Sequence, residues 1–450
     1  MKVSSAGWAF GLALVSVAGC GLLDDDASGS GDDGSDAGEG GEAAGGTAGL
    51  GGSLGGSGGV AGGGRGGSAP GGAGSGGKAG GAGTGGGGMG GAPPFPPMGG
   101  PAPPLVWEEP DVRTEPSGRY PDILPDGMDG LYVVAHGNPA YLFDYTPTGW
   151  SETALEFAPS AGSPQIAGDP ESPFIQWRRT TNLQVTTFDG AAFGTSVDIA
   201  PLGNAPGDME LLASAETGTA VVFHSDDSSV YAYDFDGTTW NGRTIGTGPN
   251  DGIARVARGT MDASGRAAVV WQQQDGVNGF NDREAAGALF DGTSWLPSEV
   301  IGDPGSATFQ GVGFVDIDVN AAGKGFAVWG SERLWVMPVD LAVGWGEPAP
   351  IDADVRWLED WPRVAVNEAG QAVLAWYEQE VNIFDPRLVA SIYSPGSGWS
   401  APQVLMNDVT PETKVAIDES GRAVVAWLGG ASVALRGVFA AHYTPSGGWG

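Results

Sequence analysis

A fourteen-residue pattern recurs four times in the second half of the chain and constrains the fold more than any other feature. The copies are RGTMDASGRAAVVW (258–271), DIDVNAAGKGFAVW (316–329), RVAVNEAGQAVLAW (363–376) and KVAIDESGRAVVAW (414–427). Each predicts a strand, an Asp/Asn-x-x-Gly turn and a second strand that ends in tryptophan. The glycine supplies positive φ and the Asx side chain caps the turn, as β-hairpins require.

A third strand and a second aromatic marker follow each hairpin, as in FDGTSW (290–295) and YSPGSGW (393–399). A fourth strand starts at this marker, as in WSAPQVL (399–405). The markers are Trp150, Phe193, Trp240, Trp295, Trp345, Trp399 and Trp449, at intervals of 43 to 55 residues. Seven four-stranded units of about 50 residues predict an all-β, seven-bladed β-propeller. An eight-unit ring and a truncated gene are the alternatives.

The predicted propeller spans 105–450, and its last repeat stops at Trp449 and Gly450, before a fourth strand. WEEPDV at 107–112 is similar to WSAPQV at 399–404, where such a strand begins. We therefore expect 105–113 to close the last blade, because an unpaired strand edge invites aggregation.

The N-terminus has the pattern of a secretory leader. Met1 and Lys2 are followed by an apolar stretch from Ala6 to Val17, which is too short to span a bilayer. It ends in Val17-Ala18-Gly19-Cys20, which resembles the lipobox of bacterial lipoproteins. The alternative is an ordinary secretory signal with a chance cysteine.

The lipobox resemblance implies that 1–19 is a signal peptide and that Cys20 carries palmitate and other acyl groups as a membrane anchor. Residue 21 is glycine, whereas aspartate there is the usual signal for retention in the inner membrane. We therefore expect the protein in the bacterial cell envelope, with the outer membrane favoured.

Residues 20–104 are low-complexity and hold much of the chain's 82 glycines. The segment begins acidic and ends proline-rich, and it cannot bury enough apolar surface to offset the entropy of ordering. It predicts a disordered Gly/Ser/Pro-rich tether with a root-mean-square span of about 50 Å.

Charge and composition exclude several functions. Eight of the 54 acidic and three of the 20 basic residues precede residue 105, which leaves 46 acidic and 17 basic residues in the predicted propeller. The excess negative charge of the predicted propeller repels the phosphate backbone of nucleic acids, so nucleic-acid binding is not expected. The single cysteine lies in the leader, so thiol catalysis, disulfides and Cys-based zinc sites are excluded from the propeller. We expect a monomer without cofactor or metal.

The repeats are similar to sialidase-like and kelch-like propellers. The DGTTW (236–240) and DGTSW (291–295) runs resemble the Asp-box turn of sialidases, without its preceding serine. That resemblance implies an arginine triad and a Tyr/Glu pair in an enzyme, but the arginines considered are scattered along the sequence: Arg178, Arg179, Arg255, Arg283, Arg333, Arg356 and Arg387. His136, His224 and His442 lack ligand spacing, and no catalytic set is identified.

The tryptophans that end the second strands recur in register: Trp177, Trp271, Trp329, Trp376 and Trp427. Repetition at equivalent positions predicts packing between blades. The alternative is one sugar-stacking pocket in each blade.

A candidate ligand site lies where the repeat pattern breaks. Trp357 and Trp361 occupy RWLEDW (356–361), which we interpret as a connection between blades. The connections 272–284 and 377–387 also vary and share that face in a propeller, where variable loops on a rigid scaffold bind ligands. The predicted site residues are Trp357, Asp360, Trp361, Tyr377, Glu378, Gln274, Asp282 and Arg283.

Three functions are consistent with these observations. The first is a membrane-anchored, non-enzymatic binding or scaffold module for a glycan or protein. The second is a sialidase-like glycoside hydrolase, and the third is a structural component of an envelope complex.

Overall fold

The computed structural model contains seven antiparallel four-stranded blades arranged in a ring, which confirms the predicted seven-bladed β-propeller. The structure describes residues 119–450 except 126–130, 137–139, 147–148, 156–160, 180–181, 191, 202–208, 227, 275–282, 303–311, 332, 352–356, 380–386, 408 and 430–436. The leader, Cys20, the tether and the expected closing segment 105–113 lie outside the described residues.

The first three blades each contain four strands. Blade 1 has β1 (Arg119–Pro125), β2 (Leu131–His136), β3 (Ala140–Thr146) and β4 (Gly149–Leu155). Blade 2 has β5 (Ala161–Ala167), β6 (Phe174–Arg179), β7 (Asn182–Thr187) and β8 (Val197–Pro201). Blade 3 has β9 (Met209–Ala213), β10 (Ala220–Ser225), β11 (Ser229–Phe235) and β12 (Trp240–Thr247).

Blades 4 to 7 repeat the plan, with the fourth strand of blades 5 and 6 in two pieces. Blade 4 has β13 (Ile253–Met261), β14 (Ala267–Gln274), β15 (Arg283–Phe290) and β16 (Glu299–Gly302). Blade 5 has β17 (Val315–Val319), β18 (Lys324–Gly330), β19 (Leu334–Asp340), β20 (Gly344–Trp345) and β21 (Ala349–Pro350). Blade 6 has β22 (Trp357–Val366), β23 (Ala372–Gln379), β24 (Arg387–Ser394), β25 (Gly398–Trp399) and β26 (Gln403–Asn407). Blade 7 has β27 (Val409–Ile417), β28 (Ala423–Gly429), β29 (Gly437–Thr444) and β30 (Gly448–Trp449).

The first strands of consecutive blades are neighbours, from β1 through β5, β9, β13, β17 and β22 to β27. They surround the axis of the ring, and we call the space between them the central channel. The connections from second to third strands and from one blade to the next lie on one face of the ring, here called the loop face. Because successive strands are antiparallel, the Asx turns lie on the opposite face.

The second-strand tryptophans lie between blades, as predicted. Trp177, Trp271 and Trp376 are completely or almost completely buried, and Trp329 and Trp427 are buried as well. Trp271 packs with apolar residues of blade 3, including Val221 and Phe223. Burial of large aromatic surface at this position in five blades stabilises each blade-to-blade interface.

A glycine of the preceding blade makes room for two of these indoles. A Cβ on Gly246 of β12 would clash with the ring of Trp271, and a Cβ on Gly302 of β16 would lie 2.5 Å from Trp329 Cε2. These glycines are needed for close approach and not for positive φ, because neither has a positive φ.

The Asx turns between first and second strands are hydrogen-bonded as their sequence predicts. In blade 7 the buried Asp418 carboxylate accepts hydrogen bonds from the backbone N–H groups of Ser420 and Arg422, both at 2.9 Å. Arg422 also donates from its guanidinium to the same carboxylate at 2.7 Å. Asn367 in blade 6 donates from Nδ2 to the Asp418 carbonyl at 2.8 Å, so this turn also joins two blades.

The DGTTW and DGTSW runs form turns of the same kind. Asp236 Oδ1 accepts hydrogen bonds from the backbone N–H of Thr238 and Thr239, and these bonds lower the pKa of the Asp236 carboxyl. Asp291 accepts from the backbone N–H of Thr293 and Ser294, both at 2.8 Å. The carboxylates of both runs therefore hold the turn in shape.

Blade 7 has an incompletely covered outer edge. In blade 6, β24 pairs with β26, and Leu388 and Val389 are 0% and 1% exposed. The corresponding Val438 and Phe439 of β29 are 38% and 39% exposed, because β30 pairs only with the far end of that strand. The part of blade 7 that the structure describes therefore leaves an apolar edge accessible.

Candidate functional site

The predicted tryptophan pair lies in a strand and not in a connection between blades. The innermost strand of blade 6, β22, begins at Trp357 and continues through Asp360 and Trp361. Trp357 is opposite Gln379 and Asp360 is opposite Tyr377. The interpretation of 357–361 as part of a connection was wrong. The strand is irregular, because its register shifts twice before Arg363, which obscures its alternation in the sequence.

Two of the predicted residues of blade 6, Tyr377 and Glu378, make polar contacts near the loop face. Glu378 is buried and pairs with Arg387 at 2.8 Å. The hydroxyl of Tyr377, also buried, accepts a hydrogen bond at 3.1 Å from Thr413 of blade 7. Both contacts fix strand ends at the loop face.

The predicted residues of blade 4 lie in a second polar group, which extends further than the sequence indicated. Gln274 ends β14 and accepts a hydrogen bond from Arg283 Nε at 3.4 Å. Gln273 donates to Glu284 at 2.9 Å, and Gln272 accepts from Arg255 Nε at 3.3 Å.

The three glutamines are buried although they occupy consecutive positions of one strand. Burial and the nearby charge of Arg255 lower the pKa of the Arg283 guanidinium, so the two arginines are close neighbours. We call Arg255, Gln272, Gln273, Gln274, Arg283 and Glu284 the blade 4 cluster. Asp282, the remaining predicted residue, lies outside the described residues.

These groups occur at the same loop face but in blades 4 and 6, which blade 5 separates. Their hydrogen bonds and ion pairs described above link strands within a blade, apart from the bond between Tyr377 and Thr413 of the adjacent blade. The fold therefore places the described residues Gln274, Arg283, Tyr377 and Glu378 at strand ends on one face, in two blades.

A third polar group lies in the central channel, and the sequence did not predict it. Each first strand has one polar or charged residue at the same register position. It pairs with the residue just before the tryptophan position of the second strand. In blade order these residues are Asp122, Gln165, Glu210, Arg258, Asp316, Arg363 and Lys414. We call them the channel ring.

Four members of the channel ring accept a backbone hydrogen bond from the next blade. Asp122 accepts a hydrogen bond from the Ile166 backbone N–H at 2.8 Å, and Gln165 accepts one from Leu211 at 2.9 Å. Glu210 accepts one from Gly259, and Asp316 accepts one from Val364, both at 2.9 Å. In every case the donor directly follows the ring residue of the next blade. The side chain thereby satisfies a backbone donor that its own sheet leaves unpaired.

Burial raises the pKa of three carboxyls in the channel, those of Asp122, Glu210 and Asp318. Burial raises the pKa of Glu210 to about 7, against the opposing effect of Arg258. Burial likewise raises the pKa of Asp318, which lies two residues after Asp316 on the same strand, to about 7. The pKa of Asp122 is raised for the same reason.

The cations of the channel interact across it. Burial lowers the pKa of Lys414, and the positive charges of Arg363 and Arg258 lower it further. The side chain of Lys414 is nevertheless exposed to solvent, which places its ammonium in a solvated channel enclosed by strands. Interaction of Lys414 with Asp122 connects blade 7 to blade 1.

A signal for this ring is present in the sequence. The four runs quoted at the outset begin at Arg258, Asp316, Arg363 and Lys414, so a charged residue opens each repeat. The arginines considered for catalysis did not include Arg258 and Arg363. A charge at the start of a strand ordinarily indicates a solvated face, and only ring closure shows that these positions converge.

His224 of β10 occupies the tryptophan position in blade 3. It is buried and stacks on the rings of Tyr231 and Tyr233 at 5.0 and 5.9 Å. Burial lowers its pKa, so the imidazole is neutral at pH 7. In the described part of the chain, no group of three or more His, Cys, Asp or Glu residues could hold a metal ion.

Comparison with solved structures identifies several chains of low sequence identity. Puromycin hydrolase is 14% identical, with a TM-score of 0.46 over 75% of this chain and 53% of that chain. An ulvan lyase, a polysaccharide lyase, is 11% identical, with a TM-score of 0.41 over 72% of this chain and 93% of that chain. AofleA from Arthrobotrys oligospora, in mutant form, is 15% identical, with a TM-score of 0.34 over 63% of this chain and 85% of that chain.

No protein-family model matches the sequence. No curated protein matches it either. The class that the fold defines is the seven-bladed β-propeller.

Proposed function

We propose that this protein is a lipid-anchored binding module of the bacterial cell envelope, which captures a glycan at its loop face without chemical conversion. The observation that carries the proposal is the blade 4 cluster, in which three buried amides end a strand and two half-buried guanidiniums donate to them. Planar groups with several donors and acceptors in fixed orientation suit a ligand rich in hydroxyl groups.

The scaffold around the cluster favours binding. The glutamines follow Trp271, which is completely buried between blades 3 and 4. The side chains are further held by the bonds from Arg255 and Arg283. A ligand that meets pre-oriented groups loses little of its binding energy to ordering them.

The leader and the tether motivate the anchored part of the proposal. An acylated Cys20 would be separated by 84 residues (21–104) from the predicted start of the propeller at Leu105. A flexible segment of this length lets the propeller sample a shell of about 50 Å around its membrane. Such reach suits the capture of an extended polymer.

A printed glycan array probed with the purified full chain tests the binding proposal. We expect retention of a subset of glycans, followed by calorimetric titration of the strongest one. The Arg283→Gln and Gln274→Ala variants should bind it at least tenfold more weakly, because each removes a side chain of the cluster.

Arg243→Gln is the matched control. Arg243 is a half-exposed arginine on the outer strand of blade 3, paired with Asp234 at 3.4 Å, and its loss should leave glycan affinity unchanged. Release of reducing sugar from the bound glycan would contradict the non-enzymatic proposal and favour a glycoside hydrolase. Failure to retain any glycan, with specific capture of envelope proteins, would favour a scaffold.

A further inference from the structure

We propose that the blade 4 cluster selects a glycan that carries a carboxylate, such as a uronic acid residue, and binds that group between Arg255 and Arg283. This inference rests on the proposed function, because it names the chemical class of the glycan captured at the loop face. It is carried by the placement of the two guanidiniums on one face of the blade 4 sheet and by the surroundings of Arg255.

The strand register places the two arginines on the same face of the sheet. Arg255 of β13 is opposite Gln272 on β14. Arg283 of β15 is opposite Gln274, two residues further along β14. Residues paired across adjacent strands point to the same face, and so do residues two apart on one strand. Two guanidiniums and two amides therefore share one face of blade 4.

Both guanidiniums reach toward β14, which lies between their own strands. Arg255 Nε donates to Gln272 Oε1 at 3.3 Å. Arg283 Nε donates to Gln274 Oε1 at 3.4 Å. Two residues apart on a strand corresponds to about 7 Å, so the guanidiniums approach each other over β14 from opposite sides. A carboxylate between them can accept a charge-assisted hydrogen bond from each, one on either oxygen.

A strained bulge in β13 brings Arg255 to this face. The register of β13 and β14 shifts between Arg255 and Arg258, and Val256 within the shift has a φ of +57°. A β-branched residue rarely adopts this left-handed conformation. Without the extra residue, Arg255 would be opposite Gln273 and would point to the other face of the sheet, where Glu284 lies. The distortion thus separates Arg255 from the carboxylate of Glu284.

The surroundings of Arg255 favour an anionic ligand. Among the residues that the structure describes, this half-buried arginine donates to Gln272 and makes no ion pair. The Gln272 amide in turn donates to the carbonyls of Val312 and Gly313, which fixes its orientation. A guanidinium carries five N–H donors, and the bond to the amide uses one. A carboxylate is a stronger acceptor for such donors than a neutral hydroxyl group.

The charge of the propeller limits which acidic glycans fit. The predicted propeller has a large excess of acidic residues, and its field repels a dense polyanion. Two adjacent guanidiniums attract a single carboxylate at short range, whereas salt screens the field of more distant charges. We therefore expect a glycan with isolated carboxylates on an otherwise neutral chain.

Two copies of one glycan array, one of them treated to reduce carboxylates to primary alcohols, test the inference with the purified full chain. Reduction removes the negative charge and leaves the hydroxyl groups and linkages in place. On the untreated array we expect retention of glycans that carry a carboxylate, with at least a tenfold lower signal for the same glycans after reduction.

The outcomes separate this inference from the proposed function. Equal retention on both arrays would overturn selection of a carboxylate and leave glycan capture intact. Sulfated glycans keep their charge on the reduced array, so preferred retention of these would also overturn the assignment to a carboxylate. No retention on either array would contradict glycan capture itself, and this inference with it.

Substitutions of Arg255 locate the carboxylate in the cluster. Arg255→Gln should bind carboxylate-bearing glycans at least tenfold more weakly and lose the difference between the two arrays. Arg255→Lys keeps the charge without the planar set of donors, so it should retain a reduced difference. Arg243→Gln changes a half-exposed arginine on the outer strand of blade 3 and should keep the full difference. An undiminished difference in either Arg255 variant, with the near-ultraviolet circular dichroism of the parent, would refute the inference.

Discussion

At the scale of single residues, the blade interfaces depend on matched pairs of a large and a small side chain. The indole of Trp271 occupies the volume that a Cβ on Gly246 would need. Closely packed interiors accommodate such changes poorly, because neighbouring atoms have little room to move. Each member of the pair therefore constrains the other.

We expect substitutions of Trp271 and Gly246 to have non-additive effects on the free energy of unfolding. Trp271→Ala should lower the free energy of unfolding by about 3–5 kcal/mol through loss of buried surface and cavity formation. Gly246→Ala should lower it by about 1–3 kcal/mol through overpacking. In the Trp271→Ala background, Gly246→Ala should cost much less, because the methyl group then enters the vacated space. Urea unfolding of the four proteins measures the coupling, and simple additivity would contradict it.

The carboxyl of Glu210 in the channel predicts how the stability of the fold depends on pH. The folded-state pKa of Glu210 is raised to about 7 from 4.5. The protonated carboxyl therefore stabilises the fold fully below pH 4.5, and this stabilisation is lost as the pH rises through 7. Glu210→Gln keeps an acceptor for Gly259 and removes the buried charge. At pH 8 it should therefore be more stable than the parent by about 1–3 kcal/mol.

Urea unfolding at pH 5 and pH 8 measures the effect of Glu210→Gln, and the gain should shrink at pH 5. Glu299→Gln, which changes an exposed carboxylate on β16, is the matched control and should show little effect at either pH. An equal gain for both variants would indicate a general effect of the protein's negative charge.

At the scale of strands, the open edge of blade 7 agrees with the expected closure by 105–113, which the described residues do not test. Val438 and Phe439 are exposed where the equivalent strand of blade 6 is covered by β26. Within β26, Val404 pairs with Val389, and Gln403 pairs with Ala390. Alignment of WEEPDV (107–112) with WSAPQV (399–404) places Val112 opposite Phe439 and Asp111 opposite Ala440.

Cysteine cross-linking tests this register. In a Cys20→Ser background, Val112→Cys with Phe439→Cys should form a disulfide, because paired residues of adjacent strands lie within disulfide reach. Asp111→Cys with Phe439→Cys should cross-link poorly, since adjacent residues of a strand point to opposite faces. Non-reducing electrophoresis and mass spectrometry of the linked peptides measure both. Equal yields, or none, would exclude this register.

At the scale of the whole molecule, the chain combines a rigid ring with a predicted flexible anchor. The described residues contain no helix with the length and apolar character needed to cross a bilayer. The membrane association that we propose depends on Cys20, the only cysteine in the chain. Acylation at this residue would have to supply more than one acyl chain, because a single chain gives only marginal membrane binding.

Replacement of this cysteine tests the anchor. The parent protein should incorporate labelled palmitate in cells and partition into the detergent phase of a Triton X-114 extract. Cys20→Ser should incorporate no palmitate and remain in the aqueous phase, with the propeller still folded by near-ultraviolet circular dichroism. Ser16→Ala, a change in the apolar part of the leader, should behave as the parent. Unchanged partitioning of Cys20→Ser would refute lipidation at this residue.

The sequence alone determined the repeat, the blade count and the burial of the second-strand tryptophans, because turn chemistry and strand alternation are local and recur in every unit. The convergence of Asp122, Glu210, Arg258 and Lys414 depended on tertiary structure. These residues are separated by roughly one blade or more in sequence, and ring closure alone brings them to one level of the channel. Likewise, only the tertiary structure showed that Trp357 and Trp361 belong to the irregular first strand of blade 6, where the shifts in register interrupt the local pattern.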